Sequence, residues 1–239
     1  MSLESLANVA QRVAEYDTAI KESSQMYKQV LSAWGECFDT SRSSGATCLH
    51  VHARGNMLIL TDNGCGMSEA DMLHGVISVD DPDLGYRGVP IAYTSGLMRL
   101  ADHALVLSDN GGGYWTAGLI SPSLSEQLGS TRLMVLQCTW KEDRLFMGTT
   151  SDCPLSARER EASLRLLLEH SPFKSEFALL SEFEAIHTSD VQALTGTRVV
   201  MWGVRAQEHD LTRPDDILIR GAPRDAHAHE TSACAIRIG

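Results

Sequence analysis

The stretch that most limits what this chain can become is Leu58–Met67, LILTDNGCGM. The apolar run Leu58-Ile59-Leu60 reads as a buried strand, and it breaks at Asp62-Asn63-Gly64-Cys65-Gly66, a turn with two glycines. Ser68, followed by Glu69 and Asp71, predicts a helix start just beyond, with an N-cap and an acidic first turn. A strand that delivers a carboxylate into a glycine turn can set that carboxylate in a pocket. Gly64 and Gly66 also remove side chains where a flat ligand would approach the backbone. An ordinary strand-turn-helix corner can carry the same D-x-G-x-G pattern, so its neighbours must decide.

Upstream, the spacing of Tyr27, Val30, Leu31, Trp34 and Phe38 predicts a helix over about Gln25–Ser41. Glu36 sits on it among Ala33, Trp34, Cys37 and Phe38, and Thr40, four residues on, shares its face. A carboxylate in that position is either a satisfied core group or a positioned base. Thr47–His52 alternates, and Arg54-Gly55-Asn56 makes a hairpin turn into Met57–Thr61. Downstream, a loop over Asp80–Gly88 leads to Ser95-Gly96-Leu97-Met98-Arg99-Leu100, read as a short helix with Ser95 as its N-cap. The start of such a helix offers backbone N–H groups to an anion.

Ala104–Leu107, Trp115–Ile120, Arg132–Gln137 and the VVMW run after Thr195-Gly196-Thr197 read as further strands. Ser121–Thr131 reads as a polar, mobile connection. Helices are predicted over Arg158–His170 and around Phe177–Ile186, and another over Ser5–Ile20 as an arm or surface helix.

Composition closes off several classes. At 239 residues, 43% hydrophobic and 21% charged, the chain can bury a proper core in one large or two small domains. Its net charge of −11 makes it a poor generic binder of nucleic acid. None of its six cysteines forms a C-x-x-C pair, which suits reduced intracellular usage better than a disulfide framework. The pairs His50/His52 and His227/His229 offer at most a weak metal site. No 18-residue apolar run and no secretory signal is visible, so no membrane span is expected.

Taken in order, Glu36-Cys37-Phe38-Asp39-Thr40, Asp62-Asn63-Gly64-Cys65-Gly66-Met67, Ser95-Gly96-Leu97-Met98-Arg99-Leu100 and Ala104-Leu105-Val106 resemble the GHKL (Bergerat-fold) ATPase domain of MORC proteins. His170-Ser171-Pro172-Phe173-Lys174-Ser175-Glu176 resembles that family's SPF(K/R)(T/S)E segment. Gly196-Thr197-Arg198-Val199-Val200-Met201-Trp202 resembles its GT…IW strand, and the stretch from His209-Asp210-Leu211 to Asp215-Asp216-Ile217 resembles the tail after it. The likeness spans about residues 27 to 220.

The resemblance implies an α/β sandwich: a mixed, mostly antiparallel sheet with helices on one face. It divides the chain into an N-terminal arm (1–24), a GHKL ATPase-like domain (25–220) and the start of a following, truncated segment (221–239). It implies ATP and Mg²⁺ as cofactors. Glu36 would be the general base, Asp62 the acceptor for the adenine amino group, and Gly64, Gly66 and Met67 the surround of the base. Thr197 would bind the same edge through water, and Ser95, Gly96 and Leu97 would turn backbone N–H groups toward phosphates. It further implies a nuclear, chromatin-associated silencing or compaction protein that closes as a homodimer, with no direct DNA binding by this acidic module.

The chain also departs from the family pattern. The Mg²⁺ ligand, an Asn in the family, is Thr40 here. In the phosphate loop Arg87, Pro90 and Ala92 replace glycines and Thr94 replaces a Lys, and the lid between Met72 and Gly85 is short. Pro90 has no N–H to donate, Arg87 and Ala92 resist positive φ, and Thr94 carries no charge. Each lost charge-assisted contact costs about 1–3 kcal/mol, so weak or absent hydrolysis is expected. The alternative is a pseudo-ATPase, a dimerisation or docking scaffold that binds no nucleotide. A mismatch-repair ATPase or a histidine-kinase-type member of the same superfamily fits the SPFKSE and SGLMR stretches less well.

Overall fold

The structure is a computed structural model that describes residues 30–72, 91–127, 135–148, 156–188, 193–205 and 233–237. The expected N-terminal helix, the loop residues Arg87 and Pro90, the His209–Ile217 tail and the His227/His229 pair lie outside them.

Eight strands form one sheet: β1 (Cys48–Arg54), β2 (Met57–Asp62), β3 (Ala101–Asp109), β4 (Tyr114–Ile120), β5 (Val135–Lys141), β6 (Arg144–Leu145), β7 (Gly196–Val204) and β8 (Ala233–Arg237). Their spatial order is β6-β5-β4-β3-β7-β2-β1-β8, and every pairing described is antiparallel. Gly55 and Asn56 close the tight β1–β2 hairpin, whose flanking residues Arg54 and Met57 are paired. β8 pairs with β1 at the edge of the sheet.

The helices are α1 (Val30–Ser43), α2 (Glu69–Asp71), α3 (Ile91–Leu100), α4 (Pro122–Gln127), α5 (Ala157–His170) and α6 (Glu176–Thr188). Strand alternation sends successive side chains to opposite faces, and each face carries its own core. On one face Ala33, Trp34 and Cys37 of α1 and Leu97 and Met98 of α3 pack on Leu58, Leu60, Val106, Val199 and Met201. On the other, Leu166 and Leu167 of α5 and Leu179, Phe183 and Ile186 of α6 pack on Ile59, Leu105, Leu107, Leu119 and Val200. The expected α/β sandwich is therefore present, and its second face is covered as well.

The segment read as a mobile connection is helical over Pro122–Gln127. Ser121 Oγ accepts from the Leu124 amide at 3.3 Å, proline suits the first turn, and Leu124 is buried in the second core. The SPFKSE segment links α5 to α6: Phe173 is buried, and Glu176 accepts from the Trp140 indole N–H at 2.6 Å.

Candidate functional site

Asp62 ends β2 on the α1/α3 face of the sheet, 7% exposed, opposite Thr197 of β7. Three donors converge on its carboxylate. Ser41 Oγ donates to Oδ2 at 2.9 Å, while the Gly64 and Thr197 amides donate to Oδ1 at 2.9 and 3.3 Å. Burial pushes the Asp62 carboxyl above its ordinary range, and those three bonds pull it part of the way back. A carboxylate has about four acceptor positions, so with these three filled Oδ2 retains one.

The turn after Asp62 is stitched down residue by residue. The Cys65 amide donates to Ser44 O at 2.9 Å, Thr195 Oγ1 donates to Gly64 O at 2.8 Å, and the Met67 amide donates to Ser108 Oγ at 2.7 Å. Gly66 has φ +67, and a Cβ there would lie 2.0 Å from Asp109 O. A Cβ on Gly64 would meet Ser44 Oγ, also at 2.0 Å. Both glycines thus have an intramolecular reason to be glycine: side chains are missing there so that Ser44 and the β3 backbone can approach. Ser68 then caps α2 through the expected capping box with Asp71.

Beneath this turn the sheet carries a row of polar side chains that sequence inspection missed. Asp62 pairs with Thr197, Thr197 with Ser108, Ser108 with Thr116, and Thr116 with Thr139. All five are buried and face the α1/α3 side. With strands about 4.8 Å apart, the row is about 19 Å long. Two of its members bind the crossing chain: Ser108 takes Met67, and Thr139 Oγ1 donates to Glu69 Oε1 at 2.9 Å; Gln137, two residues before Thr139, adds a bond from Nε2 to Glu69 O at 2.8 Å. A signal existed in the polar residues near the ends of the apolar strands, but it becomes visible only once the register is known.

Glu36 and Thr40 lie on the half-buried flank of α1, beside the buried Cys37 and Ser41. Burial, helped by the neighbouring Glu36 charge, pushes the Cys37 thiol up to about 12. The Glu36 flank looks at α3, where a Cβ on Gly96 would lie 3.3 Å from Glu36 Cβ and 3.1 Å from Ala33 O. Ser41 follows Glu36 by five residues, about 7.5 Å along the helix, so α1 carries both Glu36 and a direct ligand of Asp62. Buried Tyr93 of α3 adjoins them; its hydroxyl is pushed well above its ordinary value by burial first and then by Cys37 and Asp62.

Ser95 does not cap α3. The helix already runs from Ile91, so Ser95 lies four residues inside it, fully buried, and Leu97 belongs to the core. The local reason is that Tyr93 and Thr94, before Ser95 in the helix, are already buried. Among the described residues no group of three His, Cys, Asp or Glu side chains could hold a metal ion, and no helix is long and apolar enough to cross a membrane.

The fold is an antiparallel α/β sandwich with a buried aspartate set into a glycine turn at a strand end. No protein-family profile matches the chain. It is 31% identical to mouse MORC family CW-type zinc finger protein 3 over 178 residues, 67% of this chain and 17% of that protein. It is 25% identical to mouse MORC family CW-type zinc finger protein 1 over 224 residues, 86% of this chain and 22% of that protein. The chain belongs to the MORC family, and it spans about a fifth of the length of these curated relatives.

Proposed function

We propose that this region is a MORC-type nucleotide-binding module of the Bergerat kind, with an intact adenine end and a degraded phosphate end, so that ATP hydrolysis is weak or absent. Asp62 carries the reading. It is a buried, acceptor-only carboxylate oriented by three donors, with one acceptor position left on Oδ2. Such a group selects a ligand amino group. Thr197 and Met67 border it, and Gly64 and Gly66 shape the turn above it. Glu36 and Thr40 are the groups on α1 that would face the water and Mg²⁺ of a bound nucleotide.

The degraded end rests on chemistry. Ser95 and Leu97 are buried inside α3, Gly96 is pressed on α1, and Thr94 stands where the family carries a cation. Neutral, inward-facing groups give a triphosphate little compensation. One observation favours the second reading, a scaffold that dimerises or docks without nucleotide: Asp62 is already hydrogen-bonded within the protein. Given its relatives, we place the protein in the nucleus, on chromatin, as a homodimer that acts in silencing or compaction, with DNA contacts left to other parts of the assembly.

Calorimetric titration with ATP, its non-hydrolysable analogue and Mg²⁺ tests this. The expected result is weak binding that Asp62→Asn abolishes, with negligible turnover. Micromolar, Mg²⁺-dependent affinity with turnover lost in Glu36→Gln overturns the degraded end. Absence of any binding, with an oligomeric state indifferent to ATP, leaves the scaffold.

A further inference from the structure

The polar row ends on β4 and β5 in a group of buried oxygens. Thr116, Gln137 and Thr139 are each at most 4% exposed. Thr116 and Thr139 are register partners, and Gln137 lies two residues before Thr139, so all three face the α1/α3 side. Directly opposed residues set their Cβ atoms about 5 Å apart, and same-face neighbours along a strand lie about 7 Å apart. Gly118, the register partner of Gln137, adds no side chain to that face. Glu69 fixes the hydrogen-bond roles of two of the three. Its backbone carbonyl can only accept, so Gln137 turns Nε2 to it at 2.8 Å and keeps Oε1 as the other end of the amide. The Thr139 hydroxyl gives its proton to Glu69 Oε1 at 2.9 Å, which leaves Oγ1 as an acceptor. Among the described residues, neither Gln137 Oε1 nor Thr116 Oγ1 has a hydrogen-bond partner. Buried oxygens in that condition are rare in folded proteins, and bound water is a common way to satisfy them.

We propose that Thr116, Gln137 and Thr139 form a binding site for one buried water molecule, separate from the position at Asp62. The three side chains offer two acceptors and one hydroxyl that can donate. A water matches that set: it donates to Gln137 Oε1 and Thr139 Oγ1 and accepts from the Thr116 hydroxyl. Three partners are the usual number for a buried water. An anion would meet two lone-pair oxygens, and an apolar group would leave all three oxygens unpaired. The water links β4 to β5 beside the chain at Glu69, which Gln137 and Thr139 already hold. Three strand spacings, ~14 Å, separate Thr116 from Asp62 along the row. The site therefore goes beyond the nucleotide reading and does not depend on it.

A crystal structure of the full chain without nucleotide, at a resolution that shows ordered water, tests the site. The expected result is one density peak within about 2.6–3.2 Å of Gln137 Oε1, Thr139 Oγ1 and Thr116 Oγ1. A direct hydrogen bond between the Thr116 and Thr139 hydroxyls with no peak overturns the proposal. So does a peak with oxygens at about 2.4 Å, which marks a metal ion. Thr116→Val keeps the side-chain shape and removes the donor, so its peak should be lost or displaced; Thr116→Ser keeps the hydroxyl and should retain it. A Thr116→Val peak of unchanged position and occupancy overturns the assignment of Thr116. In solution, oxygen-17 relaxation dispersion counts long-lived waters: Thr116→Val should hold one fewer than the wild type, and an equal count counts against the site. If Thr116→Val does not fold, the wild-type density and the Thr116→Ser comparison decide the matter alone.

Discussion

Two adjacent cross-strand pairs on β2 and β7 point to opposite faces of the sheet and solve the same problem differently. Asp62 and Thr197 face α1 and α3, while Thr61 and Arg198 face α6. On the α6 side a buried carboxylate beside this pair is Glu182, and cations hold it: Arg198 Nε at 2.9 Å and Arg54 Nη2 at 2.7 Å, with Arg198 Nη1 donating to Thr61 Oγ1 at 2.6 Å. On the α1 side Asp62 has a hydroxyl and two amides but, among the described residues, no cation. A carboxylate matched by guanidinium groups is committed to the fold. One held by neutral dipoles keeps its pKa raised and an acceptor position open, which suits a group that meets a ligand.

The largest expected effect breaks the charged side. Arg198→Met strands Glu182 with the half-exposed Arg54 as its remaining cation and takes the donor from Thr61. Denaturant unfolding should show a loss of about 3 kcal/mol or more, the range for a buried pair that loses one partner. A loss below about 1 kcal/mol would mean that the two sides are not different in kind.

Asp62→Asn should cost less, within about 1–2 kcal/mol at neutral pH, because the change removes a desolvated charge while weakening the bonds to it. The pH dependence carries the sharper sign. The Asp62 carboxyl is raised above its ordinary value of 3.8, so the protonated form is the one the fold prefers. Its contribution is fully present below the unfolded-state pKa and is lost as pH rises through the folded one. Wild type should therefore lose stability relative to Asp62→Asn as pH climbs through that window. Unfolding curves over the acid range check this, and a relative gain on raising the pH would contradict the burial of the charge.

The strands and long helices were largely legible because their signals are local. Alternation marks β1, 3.6-residue spacing marks α5, and the S-x-x-D box marks the start of α2. The position of Asp62 at a strand end was legible for the same reason. The partners were not. Ser108 and Thr139 look like ordinary polar residues until antiparallel register lines them up, Ser41 looks so until α1 packs on the sheet, and Arg160 lies 91 positions from Glu69. Ser95 misled because a serine before Gly-Leu-Met reads as a cap, whereas tertiary burial carries the helix four residues further back. From the sequence alone, Gly64 and Gly66 read as space for a ligand. The Ser44 side chain and the Asp109 backbone that crowd them are long-range neighbours that no pentapeptide can announce.

The smallest expected effect concerns the donor that orients Asp62 from α1. Ser41→Ala removes one hydrogen bond and almost no volume, so the stability change should be about 1 kcal/mol, below that of the two variants above. The consequence for the carboxylate is more telling. The Ser41 hydroxyl is one of the groups that lower the Asp62 pKa against the upward push of burial, so its loss should move the carboxyl further up. Carbon-13 titration of the Asp62 carboxyl in wild type and Ser41→Ala reads that shift directly. An unchanged titration would mean that the two backbone amides alone hold the charge and that α1 has no part in setting the acidity of the turn.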